Sequence, residues 1–226
     1  MSPADPGDRF DRQRLLPGFG DAGWPRLRDA RIHVVGAGPV AAPALLYLAR
    51  AGVGTLYLDD GADVEPGDSG AWLYVPAQVG RSRLLAALEA LRAASGAVEV
   101  RPAASDTSAT ATLICAGSEG VARAAAERAR LAGLPHVVAL GDGGGGEVIS
   151  IPPGAPCFAC ASRPGARVQP RGGAAAAIGT LAALELLLLV AGVAPGQEPG
   201  RRVVLTEGRP RAEATARRPG CGCRLF

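Results

Sequence analysis

Four of the five cysteines stand in two close pairs whose spacing suits a metal site. Cys157 and Cys160 form a C-x-x-C segment, and Cys221 and Cys223 form a C-x-C segment near the end of the sequence. Two thiolate pairs supply the four sulfur ligands that a structural zinc ion takes in a tetrahedral arrangement. We therefore predict structural zinc at these cysteines. A redox-active dithiol and unligated cysteines stay open as alternatives, because the C-x-C pair is one residue shorter than usual.

A glycine-rich segment could bind phosphate. Residues 36–41, called the glycine turn below, read Gly-Ala-Gly-Pro-Val-Ala and match G-x-G-x-x-G/A. Gly36 permits a tight turn, Gly38 lets the backbone approach a phosphate, and the small Ala41 lets the next helix lie against the strand. The first N–H groups of that helix offer donors and partial positive charge to an anion. A tight turn without a ligand is the alternative, which Pro39 favours slightly because proline has no N–H.

The elements predicted around the glycine turn place two acids beside it. The apolar run 31–35 is typical of a buried parallel strand. Residues 40–51 have the pattern of a helix that a glycine closes, and residues 55–58 that of a second strand. Asp59 and Asp60 follow the second strand directly, and an acid at this place can accept both hydroxyls of a ribose. This strand–turn–helix–strand unit is therefore predicted to hold a nucleotide-like ligand.

The composition limits the classes of protein that fit. Of the 226 residues, 48% are hydrophobic and 4% aromatic, which favours helices packed on a sheet over a β-sandwich. The net charge of +3 is small and the arginines are spread along the chain, so no nucleic acid partner is expected. The polar N-terminal start has no signal peptide, which predicts a cytoplasmic protein. The apolar stretch 174–193 contains Glu185 and many alanines, so we interpret it as a buried or interface helix and expect no membrane partner.

Alternating strands and helices predict an α/β fold. We expect a doubly wound, mostly parallel, Rossmann-like sheet with an antiparallel C-terminal extension and the cysteine-rich zinc site. A single domain is expected over 1–226. Residues 1–30 would form a helical arm and 31–150 the nucleotide-binding core. Residues 151–226 would hold a crossover loop, the long apolar helix and the zinc-binding tail.

Three further residues could do chemistry but are expected to be structural. His33 lies in the first predicted strand and His136 begins a later one, and neither has a cysteine or serine partner in the pattern. Cys115 lies on an apolar strand and is expected in the core.

The combination of motifs resembles one family. An RFDRQ segment at 9–13 precedes the first strand, the glycine turn follows, and PCFAC at 156–160 pairs with PGC at 219–221. An Ala-Leu-Glu segment at 183–185 lies on the apolar helix. This pattern, which covers nearly the whole chain, is similar to the ThiF/MoeB family, the relatives of the ubiquitin-activating enzymes.

The resemblance implies an activity and its cofactors. The family uses ATP to adenylate the C-terminal glycine carboxylate of a ubiquitin-like sulfur carrier or of a peptide. It holds ribose with an aspartate at the position of Asp60, and contacts phosphate with a lysine where this chain has Arg83. ATP with Mg²⁺ and structural zinc are therefore the implied cofactors.

Several family positions differ in this chain. The loop 65–72 lacks the family's Asn-x-x-Arg motif, and Ser118 replaces the aspartate that binds magnesium, with Glu119 next to it. Arg9 and Arg12 are kept, and in family dimers an arginine of that motif reaches the partner's ATP. Local pairing of these arginines with neighbouring acids is the alternative.

These differences suggest a degenerate, partner-dependent member with an eroded ATP site. It would form a homodimer, or a heterodimer with an active relative, and bind a carrier or peptide. One alternative is an active adenylyltransferase in which Glu119, Asp60 or Asp68 binds magnesium and Arg83 serves the phosphates. An NAD-binding oxidoreductase is the other, and the sequence shows no Tyr/Lys or Ser/His catalytic set for it.

Overall fold

The computed structural model describes residues 10–17, 19–20, 22–69, 72–104, 107–141, 143–163, 170, 172–193 and 200–223. The eight strands are β1 (Arg31–Val35), β2 (Thr55–Asp59), β3 (Glu99–Pro102), β4 (Ala111–Ile114), β5 (His136–Gly141), β6 (Gly146–Ile151), β7 (Arg201–Thr206) and β8 (Arg209–Ala214). The helices are α1 (Asp11–Arg14), α2 (Gly23–Arg28), α3 (Ala41–Arg50), α4 (Arg83–Ala94), α5 (Glu119–Leu131), α6 (Phe158–Ala161) and α7 (Gly172–Ala191), with a 3-10 turn at Pro76–Gln78.

The strands form one sheet in the order β3-β2-β1-β4-β5-β6-β7-β8. The first five are parallel, and the last three join antiparallel. The order reverses between β1 and β4, so the loops after these strands diverge and leave a crevice at the carboxyl edge of the sheet. The predicted parallel sheet with an antiparallel C-terminal extension is confirmed.

Helices cover the two faces of the sheet unequally. One core lies between the sheet and α3, α4 and α7, and a smaller one lies under α5 and α6. Between β3 and β4, the described residues 103–104 and 107–110 contain no helix. The α5 side of β1 and β2 is therefore open beside α5, which creates the cleft described below.

The apolar stretch forms α7. This helix is long and apolar enough to cross a membrane by length and composition, yet it packs against α3 and the sheet, with Ile178 and Leu186 fully buried. A Cβ on Gly179 would lie 2.1 Å from the carbonyl oxygen of Val40, so the two helices cross where α7 has no side chain. Glu185, buried in α7, lies 3.3 Å from Arg201.

Candidate functional site

The glycine turn is tight because neighbouring backbone fills the space beside it. Gly36 has φ +93°, and a Cβ there would lie 2.5 Å from the carbonyl oxygen of Cys115, at the end of β4. Its N–H donates to the carbonyl oxygen of Asp59 at 2.8 Å. Ala41 begins α3 and is fully buried, as expected for the small third position. These contacts join the carboxyl ends of β1, β2 and β4.

Asp60 is buried against the glycine turn, with 7% of its side chain exposed. Its carboxylate accepts hydrogen bonds from the N–H groups of Ala37 at 2.7 Å and Ala62 at 2.8 Å. Arg83 approaches it at 3.5 Å and donates to Asp68 at 3.1 and 2.7 Å. Asp60 therefore orders the turn and the loop that follows β2.

Arg83 and Asp68 form a buried pair beside the same turn. A Cβ on Gly38 would lie 3.7 Å from Nη1 of Arg83, so the guanidinium lies beside the second glycine of the turn. Burial lowers the pKa of Arg83, but the hydrogen bond to Asp68 and the charge of Asp60 outweigh it and raise the pKa. Asp68, with 3% of its side chain exposed, also accepts from the N–H of Glu65. One cation is thus balanced by two carboxylates.

Tyr74 closes this network from the loop after β2. Its buried hydroxyl donates to the carbonyl oxygen of Ala37 at 2.6 Å. Burial, followed by the charge of Asp60, raises the pKa of Tyr74 far above its usual value, so the phenol stays protonated. Sequence reasoning missed Tyr74, since nothing in the local pattern connects it to a turn 37 residues earlier.

Asp59 lies at the mouth of a cleft of about 640 Å³ beside α5. Its side chain is 55% exposed, unlike that of Asp60. The cleft is lined by His33, Val35, Asp59, Ala103, Ala104, Thr107, Ala109, Thr112, Ala125, Arg128, Ala129, Ala132 and Leu134. His33 lies 3.8 Å from Asp59, and burial lowers the pKa of this histidine although Asp59 raises it. The walls are mostly apolar, with an acid at one end and Arg128 on α5.

The residues after β4 form the N-terminus of α5. The hydroxyl of Ser118 accepts from the N–H of Val121 at 3.3 Å and caps the helix. Glu119 forms an ion pair with Arg123 at 2.6 Å, and 30% of its side chain remains exposed. Glu119 thus follows the carboxyl end of β4 as the first residue of α5, and its role as a magnesium ligand stays a prediction.

The two predicted N-terminal arginines are not described by their side chains. Arg9 lies outside the described residues, and for Arg12 the structure describes the backbone, in α1. Asp11, one of the local acids considered for these arginines, lies 3.8 Å from Arg14. The role of Arg9 and Arg12 at a partner's site therefore stays a prediction.

The four paired cysteines converge, and their geometry suits a tetrahedral metal ion. Their Sγ atoms all lie within 4.8 Å of one another. Four neighbouring distances are 3.7 Å (Cys157–Cys160), 3.8 Å (Cys157–Cys221), 3.7 Å (Cys160–Cys223) and 3.4 Å (Cys221–Cys223). Sulfurs at about 2.3 Å from a tetrahedral zinc ion are about 3.8 Å apart. The cluster can hold a metal such as zinc, and the short C-x-C pair fits.

Two of the thiols differ in acidity. The backbone N–H of Cys157 lowers the pKa of Cys223 to about 6, so its thiolate is present at neutral pH. Burial raises the pKa of Cys160 to about 12, so binding a metal there must release a proton. Cys115 is buried, and burial raises its pKa to about 12, as expected for a core thiol.

A buried polar network holds the cysteine segments on the sheet. Ser162, just after α6, donates to Glu147 at 3.0 Å, and Arg202 donates to the same carboxylate at 2.5 Å. Arg218, just before the second cysteine pair, donates its side chain to the carbonyl oxygen of Ser162 and its backbone N–H to Sγ of Cys160. Strands β6 and β7 thus fix both cysteine pairs, a connection with no signal in the local sequence.

Comparison with known proteins gives relatives for part of the chain. An adenylyltransferase and sulfurtransferase, uba4 of Emericella nidulans, is 45% identical over 85 residues, which are 37% of this chain and 18% of that protein. The chain therefore spans less than a fifth of this relative's length.

Solved structures match over almost the whole chain. E. coli MccB with ATP gives a TM-score of 0.77 at 13% identity and covers 95% of this chain and 74% of MccB. MccB with AMPCPP and MccA gives 0.79 at 14% identity, covering 97% and 74%. At this low sequence identity, the structural similarity to MccB shows that the two proteins share a fold. The ThiF family matches residues 10–223, which include the glycine turn and all four paired cysteines. This chain therefore belongs to the ThiF family.

Proposed function

We propose that this chain binds ATP and takes part in activating the C-terminal carboxylate of a ubiquitin-like carrier or peptide, as a half whose catalytic groups a partner completes. The main support for a nucleotide site is the cleft at Asp59. This cleft adjoins the glycine turn, because the N–H of Gly36 donates to the carbonyl oxygen of Asp59. Family membership supports adenylylation as the reaction.

The cleft offers room and contacts for a nucleoside. Its volume of about 640 Å³ lies within the usual range for small-molecule sites. The exposed carboxylate of Asp59 is placed to accept from ribose hydroxyls, while Val35, Ala103 and Ala104 give apolar walls for a base. Asp60, the acid that the resemblance suggested, supports this site by holding the glycine turn.

The phosphate side explains why a partner is proposed. Within the described residues, no contact uses the N–H groups of Gly38 or Val40, so they can donate to a phosphate at the start of α3. Arg83 lies beside them but is already balanced by Asp60 and Asp68. ATP would supply the α-phosphorus that a carboxylate oxygen attacks, with pyrophosphate leaving. We propose that added groups, such as an arginine of a partner subunit, supply further positive charge for this step.

A self-sufficient adenylyltransferase is the second candidate. Glu119 lies at the carboxyl edge of the sheet with a partly exposed carboxylate, and such an oxygen can ligate Mg²⁺. Asp68 is less suited to that role, because it is buried against Arg83. The uba4 relative carries adenylyltransferase in its name.

The proposed dimer has a candidate surface. Tyr47 on α3 and Leu184 on α7 are about half exposed, and these two helices pack against each other. Exposed large apolar side chains on two neighbouring helices are candidates for an interface between subunits. Light scattering of the wild type and of Leu184→Glu tests this. If the wild type is a dimer and Leu184→Glu is a monomer, the interface is supported. If the wild type is a monomer and forms no complex when mixed with an active family member, the interface is contradicted.

Calorimetry tests whether the chain binds ATP and whether Asp59 contributes to that binding. We expect ATP to bind the wild type, to bind Asp59→Ala about tenfold more weakly, and to bind Asp29→Ala normally, since Asp29 is an exposed acid at the end of α2. Failure of ATP to bind the wild type would contradict both candidates.

Pyrophosphate exchange then separates the two candidates. The assay uses ATP, Mg²⁺ and peptides ending in Gly-Gly, with the chain alone and with an active family member. Exchange that requires both chains supports the partner-dependent half. Exchange by the isolated chain, lost in Glu119→Gln, supports the self-sufficient enzyme.

A further inference from the structure

Strand β8 ends the sheet with an exposed edge. In the described part of the chain, β8 pairs with β7 and no strand lies beyond it. Residues 209–212 are all exposed. The hairpin that forms this edge closes through Glu207 (φ +50°) and Gly208 (φ +75°), and positive φ at both central residues is the pattern of tight two-residue hairpins.

The register shows which backbone groups face outward. Thr215 donates its N–H to the carbonyl oxygen of Gly200 at 3.0 Å, so this pair is hydrogen-bonded. Hydrogen-bonded and non-hydrogen-bonded pairs alternate along an antiparallel ladder. The pair Arg202 with Glu213 is therefore hydrogen-bonded, whereas Ala214 and Ala212 occupy non-hydrogen-bonded positions. The N–H and C=O groups of these two alanines point away from β7.

Pro210 limits the hydrogen bonds that this edge can make near the hairpin turn. Pro210 occupies the next non-hydrogen-bonded position, opposite Leu205, and offers an outward carbonyl oxygen but no N–H. The free edge therefore presents two N–H donors, on Ala212 and Ala214, and three carbonyl acceptors. An added strand would bind in one register, centred on the two alanines.

Basic side chains flank this edge. Residues 207–218 contain four arginines and two glutamates. Of the two acids, Glu213 is paired with Arg163 at 2.9 Å and with Arg202 at 3.2 Å. Arg209 and Arg211 project to the same face as Glu213, because alternate residues of a strand share a face, and both are exposed. This face therefore carries an excess of positive charge.

The opposite face of the strand is small and uncharged. It carries Pro210, Ala212 and Ala214, so a strand beside it meets little steric hindrance there. A matching segment would alternate acidic residues, next to Arg209 and Arg211, with small or apolar residues.

We propose that β8 is a docking edge for an extended, acidic segment of another polypeptide, which adds to the sheet as a ninth strand. Backbone hydrogen bonds to Ala212 and Ala214 would give affinity, and the arginines would select acidic side chains. This docking needs neither ATP nor the cleft at Asp59, so it goes beyond the proposed function and does not rest on it.

The test uses a short fluorescent peptide of alternating glutamate and valine, without nucleotide, with a lysine–valine peptide as the charge control. We expect the acidic peptide to raise polarisation and the basic one to bind at least tenfold more weakly. On binding, hydrogen exchange at the amides of Ala212 and Ala214 should slow, since these N–H groups become hydrogen-bonded.

Two matched variants separate strand addition from simple charge attraction. Ala212→Pro removes one outward N–H and should weaken binding at least tenfold, whereas Ala212→Val keeps the N–H and should bind like the wild type. Circular dichroism and metal content check that both variants fold. If Ala212→Pro is folded and binds normally, or if the amides stay unprotected, strand addition is wrong. If no acidic peptide binds, the arginines and proline act as protection of the edge against aggregation, and the proposal is refuted.

Discussion

The backbone N–H of Ala37 donates to Oδ2 of Asp60 at 2.7 Å, so the acid after β2 holds the turn after β1. Asp59, its neighbour, instead projects toward solvent and the cleft. Adjacent acids in one sequence motif thus have different environments. We expect Asp60 to contribute to the free energy of unfolding and Asp59 to contribute to ligand binding.

Replacing these two acids should therefore change the free energy of unfolding by very different amounts. Asp60→Ala leaves two buried N–H groups without their acceptor and Arg83 with Asp68 as its remaining carboxylate, and should lower the free energy of unfolding by about 3 kcal/mol. Asp59→Ala should change it by less than about 0.5 kcal/mol, because the side chain is mostly exposed. Urea denaturation measures both. Equal losses would contradict the assignment of roles.

Tyr74→Phe should destabilise the loop after β2. The change removes the buried hydrogen bond to Ala37 and should cost about 1 kcal/mol. Tyr47→Phe is the matched control, because Tyr47 is half exposed on α3 and should show no measurable loss. Thermal unfolding of the two variants gives the comparison. A stable Tyr74→Phe protein would mean that the hydroxyl does not hold the turn.

Gly179→Ala should disrupt the crossing of α3 and α7. The added Cβ would lie 2.1 Å from the carbonyl oxygen of Val40, so a helix must shift, at a cost of about 2 kcal/mol or more. Gly173→Ala, earlier in the same helix, meets nothing within 4 Å and should be neutral or stabilise by about 0.5 kcal/mol. Denaturation midpoints that fall equally for both would contradict this packing.

Cys157→Ser should abolish metal binding. We expect one zinc ion per purified chain, measured by plasma emission spectrometry, and none in the variant, because a structural site loses its tetrahedral set with one ligand. Cys115→Ala, which changes the cysteine outside the cluster, should keep the metal. Wild-type protein purified without any metal would refute the zinc proposal.

Stability should fall as the pH drops below about 6.5, partly because of His136. Burial lowers the pKa of His136 in the folded protein, so the unfolded chain binds a proton first. The free energy of unfolding then decreases by up to about 1.4 kcal/mol for each pH unit while only the unfolded chain is protonated. His136→Asn keeps a donor for the carbonyl oxygen of Leu134 and should show a shallower decrease between pH 7.5 and 5.5. Parallel pH curves for the two proteins would contradict this.

Much of the fold could be predicted from local patterns. The strands at β1, β2 and β5, the helix before Gly52 and the long apolar helix all have clear hydrophobic patterns and glycine signals, and their predicted positions differ from the structure by a few residues at most. Side-chain capping decides some boundaries. For example, α4 begins at Arg83, directly after Ser82, whose hydroxyl accepts a hydrogen bond from the N–H of Leu85.

The sequence by itself determined the family, the parallel sheet, the glycine turn and the four cysteines, because each depends on residue type and short spacing. Only the tertiary structure decided which of Asp59 and Asp60 is buried, since that depends on where the turn after β1 meets the end of β2. It also showed that Asp68 and Tyr74 belong to the same network as Arg83. Contacts between distant segments arise from the crossing of the chain over the sheet, and no local pattern encodes them.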